Sequence, residues 1–188
     1  MKLVKTWILW LSVLFVTAAH AAGISQRLQA HDHVLLMRHA YAPGVGDPRG
    51  YVLERCETQR VLNEEGQQQA MRIGRWLRSQ GVEKAQVFSS IWCRCRQTAE
   101  LLHAGPVTTE PALASFFDEP HQAAARNASL QAFIAQALKV KGHRALILVT
   151  HHVNIREFMG QDIGSGDMVL ARVNAQGQLL DYQLFRSP

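Results

Sequence analysis

Two runs of consecutive apolar residues, Val34-Leu35-Leu36-Met37 and Ala145-Leu146-Ile147-Leu148-Val149, limit what this chain can fold into. Neither alternates polar with apolar residues, so a strand built from either has no face to give to water and must be covered on both sides. The segments between and after them supply the cover. Asn63 reads as the N-cap of a helix carrying Ala70, Ile73, Trp76 and Leu77 on its apolar side, with Gly81 placed to end it. Further helices are predicted through Gln97, Leu101 and Leu102, from Ser129 to Val140, and as a turn from Ile155 to Met159. Additional strands are expected at Gln86–Ser89 and Val107–Glu110, while Pro111 to Ala125 reads as loop. The last two strands, Met168–Val173 and Leu179–Phe185, are joined by Asn174-Ala175-Gln176-Gly177 and should form a hairpin at the sheet edge. Strands alternating with helices predict an α/β domain of three layers, α/β/α, around a mostly parallel sheet.

The first 22 residues have a different character. Lys2 and Lys5 precede an apolar run from Trp7 to Ala19, and Ala19-His20-Ala21 supplies a small-x-small site. That pattern is the one expected of a secretory signal peptide over residues 1–22, with a single globular domain over 23–188 and a periplasmic or secreted destination. The run falls short of the roughly 20 apolar residues of a membrane span, so no stable membrane insertion is expected after cleavage. Loss of Lys2 and Lys5 would lower the formal charge from +5 to +3, a balance that suits anionic ligands. No Lys/Arg run or aromatic-interleaved basic stripe points to nucleic acid. In an oxidising compartment Cys56, Cys93 and Cys95 allow one disulfide and an odd thiol. Cys93 and Cys95, two residues apart, point in different directions, so at most one is well aimed at Cys56; three unpaired cysteines are the other reading. The spacing lacks the paired CxxC of a zinc site, and no metal is expected.

Both long apolar runs lead into histidine, as Met37-Arg38-His39 and Val149-Thr150-His151-His152. In open α/β sheets ligands bind beyond the carboxyl ends of strands, so both histidines fall where chemistry is done. A neutral imidazole is a competent nucleophile, and an adjacent guanidinium offers forked donors that match phosphate. A third element, Ser89-Ser90-Ile91-Trp92-Cys93-Arg94-Cys95-Arg96-Gln97-Thr98-Ala99, again runs from a short strand into a helix start, where backbone N–H groups favour anions. Arg94 would be a second phosphate clamp there. Arg96 reads as a surface or outer residue and His152 as packing or outer shell.

In this order and spacing, Arg-His, Ser-Ser-x-x-x-Arg-x-x-Gln-Thr-Ala and Thr-His-His resemble the motifs of the histidine phosphatase superfamily, the phosphoglycerate-mutase-like fold. The resemblance implies that His39 takes the phosphoryl group, that Arg38 and Arg94 bind it, and that His151 stabilises its charge, with no organic cofactor. Ala40 stands where the family usually has glycine after Arg-His. Many members place a glutamate as general acid shortly after a Pro-x-Leu segment, and in Pro111-Ala112-Leu113-Ala114-Ser115 that position holds Ser115. Asp118 is the preferred substitute and Glu119 the other. Arg55 or Arg60, in the stretch before the first long helix, is a further candidate for binding substrate anions, with an ordinary salt bridge as the competing role. A Cys56 bridge to Cys93 or Cys95 would tie that stretch to the loop holding Arg94. The length and leader are similar to those of exported lipopolysaccharide core heptose phosphatases, which implies a small sugar phosphate as substrate. A phosphomutase, or a module that binds phosphate esters without turnover, are the alternatives.

Overall fold

The computed structural model describes residues 23–188; the segment read as a signal peptide lies outside the described residues. Strands β1 (His33–Arg38), β2 (Ala85–Ser89), β3 (Val107–Thr109), β4 (Ala145–Thr150), β5 (Met168–Val173) and β6 (Leu179–Phe185) form one sheet in the order β3-β2-β4-β1-β5-β6. The first four are mutually parallel, and β5 and β6 add antiparallel at the β1 edge. The sheet is therefore mostly parallel, with the C-terminal hairpin at its margin.

The two central runs are covered as their composition requires. Leu35 and Met37 face one side, with Ile147 and Val149 of β4, and pack under α1 (Ile24–Gln29), α2 (Glu64–Ser79) and α3 (Cys93–Leu101). Val34 and Leu36 face the other, with Leu146 and Leu148, under α4 (Ala123–Val140) and α5 (His152–Met159). The alternation along each strand thus sorts apolar residues between two cores, not between core and water. All eight of these strand side chains are fully buried.

Three departures from the sequence reading concern local structure. α4 begins at Ala123, six residues before the expected Ser129, because Ala123-Ala124-Ala125 has high helix propensity but no apolar periodicity to betray it. The 111–122 segment carries two short 3-10 turns, Pro111–Leu113 and Pro120–Gln122, each opened by a proline with no N–H to lose. α5 begins at His152, so His151 itself is the N-cap residue. Elsewhere α2 starts as expected, with Asn63 Oδ1 accepting from the Gly66 backbone at 2.9 Å. Gly66 also lets α2 approach the first loop: a Cβ there would overlap the carbonyl oxygen of Tyr41. Among the described residues no helix is long and apolar enough to cross a membrane.

Candidate active site

β1 and β4 are neighbours in parallel register, Arg38 opposite Thr150. His39 and His151 each follow by one residue, and the sheet continues that far, since His39 N–H donates to the Thr150 carbonyl at 2.9 Å. The two rings meet edge to face with centroids 5.5 Å apart. Both are buried.

The His39 Nδ1 lies 2.8 Å from the Ala40 carbonyl oxygen. A carbonyl only accepts, so Nδ1 carries the proton and Nε2 keeps its lone pair. Burial pushes the His39 pKa well below its ordinary value, and the nearby Arg94 charge lowers it further. The ring is therefore neutral, as a nucleophile must be. The next residue is held too, since Ala40 N–H donates to Thr98 Oγ1 at 3.0 Å, and that hydroxyl donates to the Arg94 carbonyl at 2.7 Å.

His151 is neutral for the same reasons, burial first and Arg94 second. Its Nε2 is 2.8 Å from Ser90 Oγ, and its Nδ1 is 3.4 Å from the Arg94 Nη2. A guanidinium is an obligate donor, so Nδ1 accepts and Nε2–H donates to Ser90. A hydroxyl can accept or donate, so Ser90 Oγ suits either tautomer of this imidazole.

The two arginines sit differently. Arg38, half-buried at the end of β1, gives Nη1 to the Ile163 carbonyl at 2.8 Å. Burial lowers its pKa, against the opposing charges of Asp162 and Asp167. Arg94, in the first turn of α3, is buried, and its Nη1 donates to both Asp47 oxygens at 2.9 and 3.0 Å. The Nε atoms of Arg38 and Arg94 are both buried with no hydrogen-bond partner among the described residues. Buried donors without partners are costly, and two cationic ones beside one pocket are suited to receive the oxygens of an anion.

These side chains line a pocket of about 360 Å³. Ser115, Phe117 and Asp118 come into it from the 114–119 segment, and Arg60, His152 and Arg156 add positive or titratable groups. Arg38, His39, Arg94, His151 and Asp118 are thus brought together. Arg55 is not. It is exposed, pairs with Glu57 at 2.8 Å, and lies off the pocket, so the ordinary salt bridge is its role here. Arg60 lines the pocket, held by the Gly46 and Ala42 carbonyls at 2.7 and 2.6 Å. Glu119 does not line the pocket, and His152, read as packing or outer shell, does. Asp47 was missed entirely: its partner Arg94 is 47 residues away, and only its place in a Gly/Pro loop near His39 hinted at it.

The cysteine alternatives resolve as Cys56–Cys93, with Cα atoms 5.6 Å apart and Cys95 free and buried. The bridge joins the Cys56–Thr58 turn to the residue before Arg94. Gln59 reinforces the same junction, accepting from the Cys93 N–H at 3.0 Å and so satisfying a donor at the α3 start. Among the described residues no group of three or more His, Cys, Asp or Glu is arranged to hold a metal ion.

The sequence profile of the histidine phosphatase superfamily, branch 1, matches residues 34–118, which include His39 and Arg94. Over that stretch the chain is similar to the superfamily, and its fold is the phosphoglycerate-mutase-like one. Among solved structures it is similar to a mycobacterial glucosyl-3-phosphoglycerate phosphatase complexed with VO3, at 13% identity and TM-score 0.60 over 84% of this chain and 100% of that one. It is also similar to the protein histidine phosphatase SixA complexed with tungstate, at 19% identity and TM-score 0.53 over 81% and 94%. A third likeness is to a phosphoserine phosphatase from Entamoeba histolytica in complex with 3-phosphoglyceric acid, at 12% identity and TM-score 0.55 over 74% and 89%. At such identities the likeness concerns the fold. Comparison with curated proteins gave no match.

Proposed function

We propose that the protein is an exported phosphomonoesterase that works through a phosphohistidine on His39. One observation carries this reading: a buried, neutral His39 whose Nδ1 is committed to the Ala40 carbonyl, beside two arginines whose Nε donors lack partners. Nε2 attacks phosphorus in line with the leaving oxygen. Arg38, Arg94 and His151 hold the equatorial oxygens, where charge is spread in the transition state. Asp118 protonates the departing alkoxide and then takes a proton from the water that hydrolyses the phosphohistidine. No step requires a metal.

The leader pattern of residues 1–22 and the Cys56–Cys93 bridge both support export to an oxidising compartment. A small sugar phosphate is the substrate class we favour, on the resemblance to exported heptose phosphatases. Phe117 and Trp92 in the pocket wall add aromatic surface for a sugar ring.

The test is turnover of an aryl phosphate by the mature protein and by His39→Ala, with chelator present. Expected are activity that survives the chelator, its loss in the variant, and an acid-labile, alkali-stable phosphoryl adduct after quenching. Undiminished activity in His39→Ala would overturn the reading. No turnover, together with phosphate binding that needs Arg38 and Arg94, would replace it with a binding module.

A further inference from the structure

Asp47 has no part in the reaction just described, yet it is the buried carboxylate of the pocket. The other two lining carboxylates, Asp118 and Asp162, are exposed. Asp47 sits in Gly44-Val45-Gly46-Asp47-Pro48, where Gly44 and Gly46 take φ of +90° and +68°. Those values suit glycine and turn the loop back over the site.

Every acceptor position of this carboxylate is in use. Oδ1 takes Arg94 Nη1 at 2.9 Å and the Arg60 backbone N–H at 2.9 Å; Oδ2 takes Arg94 Nη1 at 3.0 Å and Trp92 Nε1 at 3.1 Å. A carboxylate has about four lone-pair sites, so none remains for a proton or a leaving group. Asp47 is not the missing acid.

What it does is set the edge that Arg94 presents. With Nη1 committed to Asp47, the donors left are Nε, which has no partner, and Nη2, which has only the 3.4 Å contact to His151. Those two form the side-on fork that matches two phosphoryl oxygens. The pair is deeply enclosed, each side chain 4% exposed. A buried ion pair seldom stabilises more than well-packed apolar residues would, so stability alone is a poor account of it. Placement of the guanidinium is a better one. We infer that Asp47 is a positioning residue for phosphoryl transfer, fixing Arg94 so that its Nε–Nη2 edge receives the phosphoryl group.

The inference rests on the phosphatase reading, and a double-mutant cycle tests the two separately. Aryl phosphate turnover is measured for wild type, Asp47→Asn, Arg94→Ala and the double variant. Asn keeps the shape of Asp but sets a donor against Trp92 Nε1 or Arg94 Nη1. Asp47→Asn should lower kcat/KM by about 100-fold, the scale of a misplaced catalytic group. The loss should lie mainly in kcat, and the double variant should be no worse than Arg94→Ala alone. Asp47→Asn combined with Arg38→Ala should instead multiply, because Arg38 does not contact Asp47. Losses that multiply with Arg94→Ala, or an Asp47→Asn enzyme within about threefold of wild type, would overturn the inference. If Asp47→Asn does not fold, Asp47→Glu, which keeps the charge but shifts it by one methylene, decides by the same cycle. If the wild type turns over no ester, the phosphatase reading fails by itself. The cycle is then read on calorimetric affinity for inorganic phosphate, where Asp47→Asn and Arg94→Ala must again fail to multiply.

Discussion

Removing the Cys56–Cys93 bridge offers a quantitative check on how the site is held. The bridge closes a loop of 37 residues. Chain-entropy reasoning for a loop of that length gives about 4 kcal/mol at 25 °C, by restricting the unfolded chain. For a domain of this size each kcal/mol corresponds to about 2–4 °C in Tm, so a loss of about 8–16 °C is expected. The perturbation is Cys56→Ser/Cys93→Ser in the mature domain, which avoids reductant and leaves Cys95 in place. That thiol is buried, and desolvation pushes its pKa up to about 12, so it should not exchange into new bridges. Urea unfolding followed by tryptophan fluorescence reads the change in midpoint at constant slope. Thiol titration of the wild type checks the premise: no group should react in the native state and one after unfolding. A stability change below about 1 kcal/mol would refute the loop-closure reasoning. An unchanged midpoint together with three reactive thiols would refute the bridge itself. Some activity should survive the substitution, because the Gln59 contact to the Cys93 backbone does not depend on sulfur.

Three further expectations follow from particular contacts. His39 and His151 have pKa values well below the ordinary value, through burial and then Arg94, so the folded chain leaves them neutral while the unfolded chain protonates them. Their stability contribution is full above about pH 6.5 and drains as pH falls through the folded values, so urea midpoints should drop between pH 7.5 and 5.5 and drop less in His39→Gln; an equal slope in the variant would contradict this. Asp118→Asn should slow alkyl phosphate turnover by about 100-fold but spare aryl esters, whose leaving groups need little protonation; equal losses on both would remove Asp118 as the acid. Gly66→Ala should cost about 1–3 kcal/mol, because α2 must retreat from the Tyr41 carbonyl that its Cβ would overlap; a neutral result in urea unfolding would show that the crossing yields easily.

What the residues disclosed in advance was whatever local pattern controls. Val34–Met37 and Ala145–Val149 have a single reading as buried strands, and both histidines come with them, since a strand end fixes the next residue. Asn63 starts α2 with its side-chain oxygen, and Gly81 follows its end with a positive φ that suits glycine. The hairpin was legible from its polar four-residue link. The start of α4 was not, because an alanine run carries propensity without a face. The Arg55 and Arg60 alternatives differed only in where a loop turned, and no local rule decides that. Asp47 was hidden for the same reason. Its role exists only once Gly44 and Gly46 bend the loop onto α3, and a contact between residues 47 and 94 leaves no trace in spacing.

The register of β1 against β4 has one more consequence. His39 and His151 are carried by the two innermost parallel strands, so their separation is set by the distance between adjacent backbones, which sheet hydrogen bonding hardly lets vary. Asp47, Phe117 and Asp118, in contrast, reach the same pocket from connecting segments. Amide exchange should divide accordingly, with the histidine-bearing backbone opening only when the whole domain unfolds and the surrounding segments opening far more often. A molecule built this way can change what it grips, by editing a few exposed turns, without loosening the part that reacts.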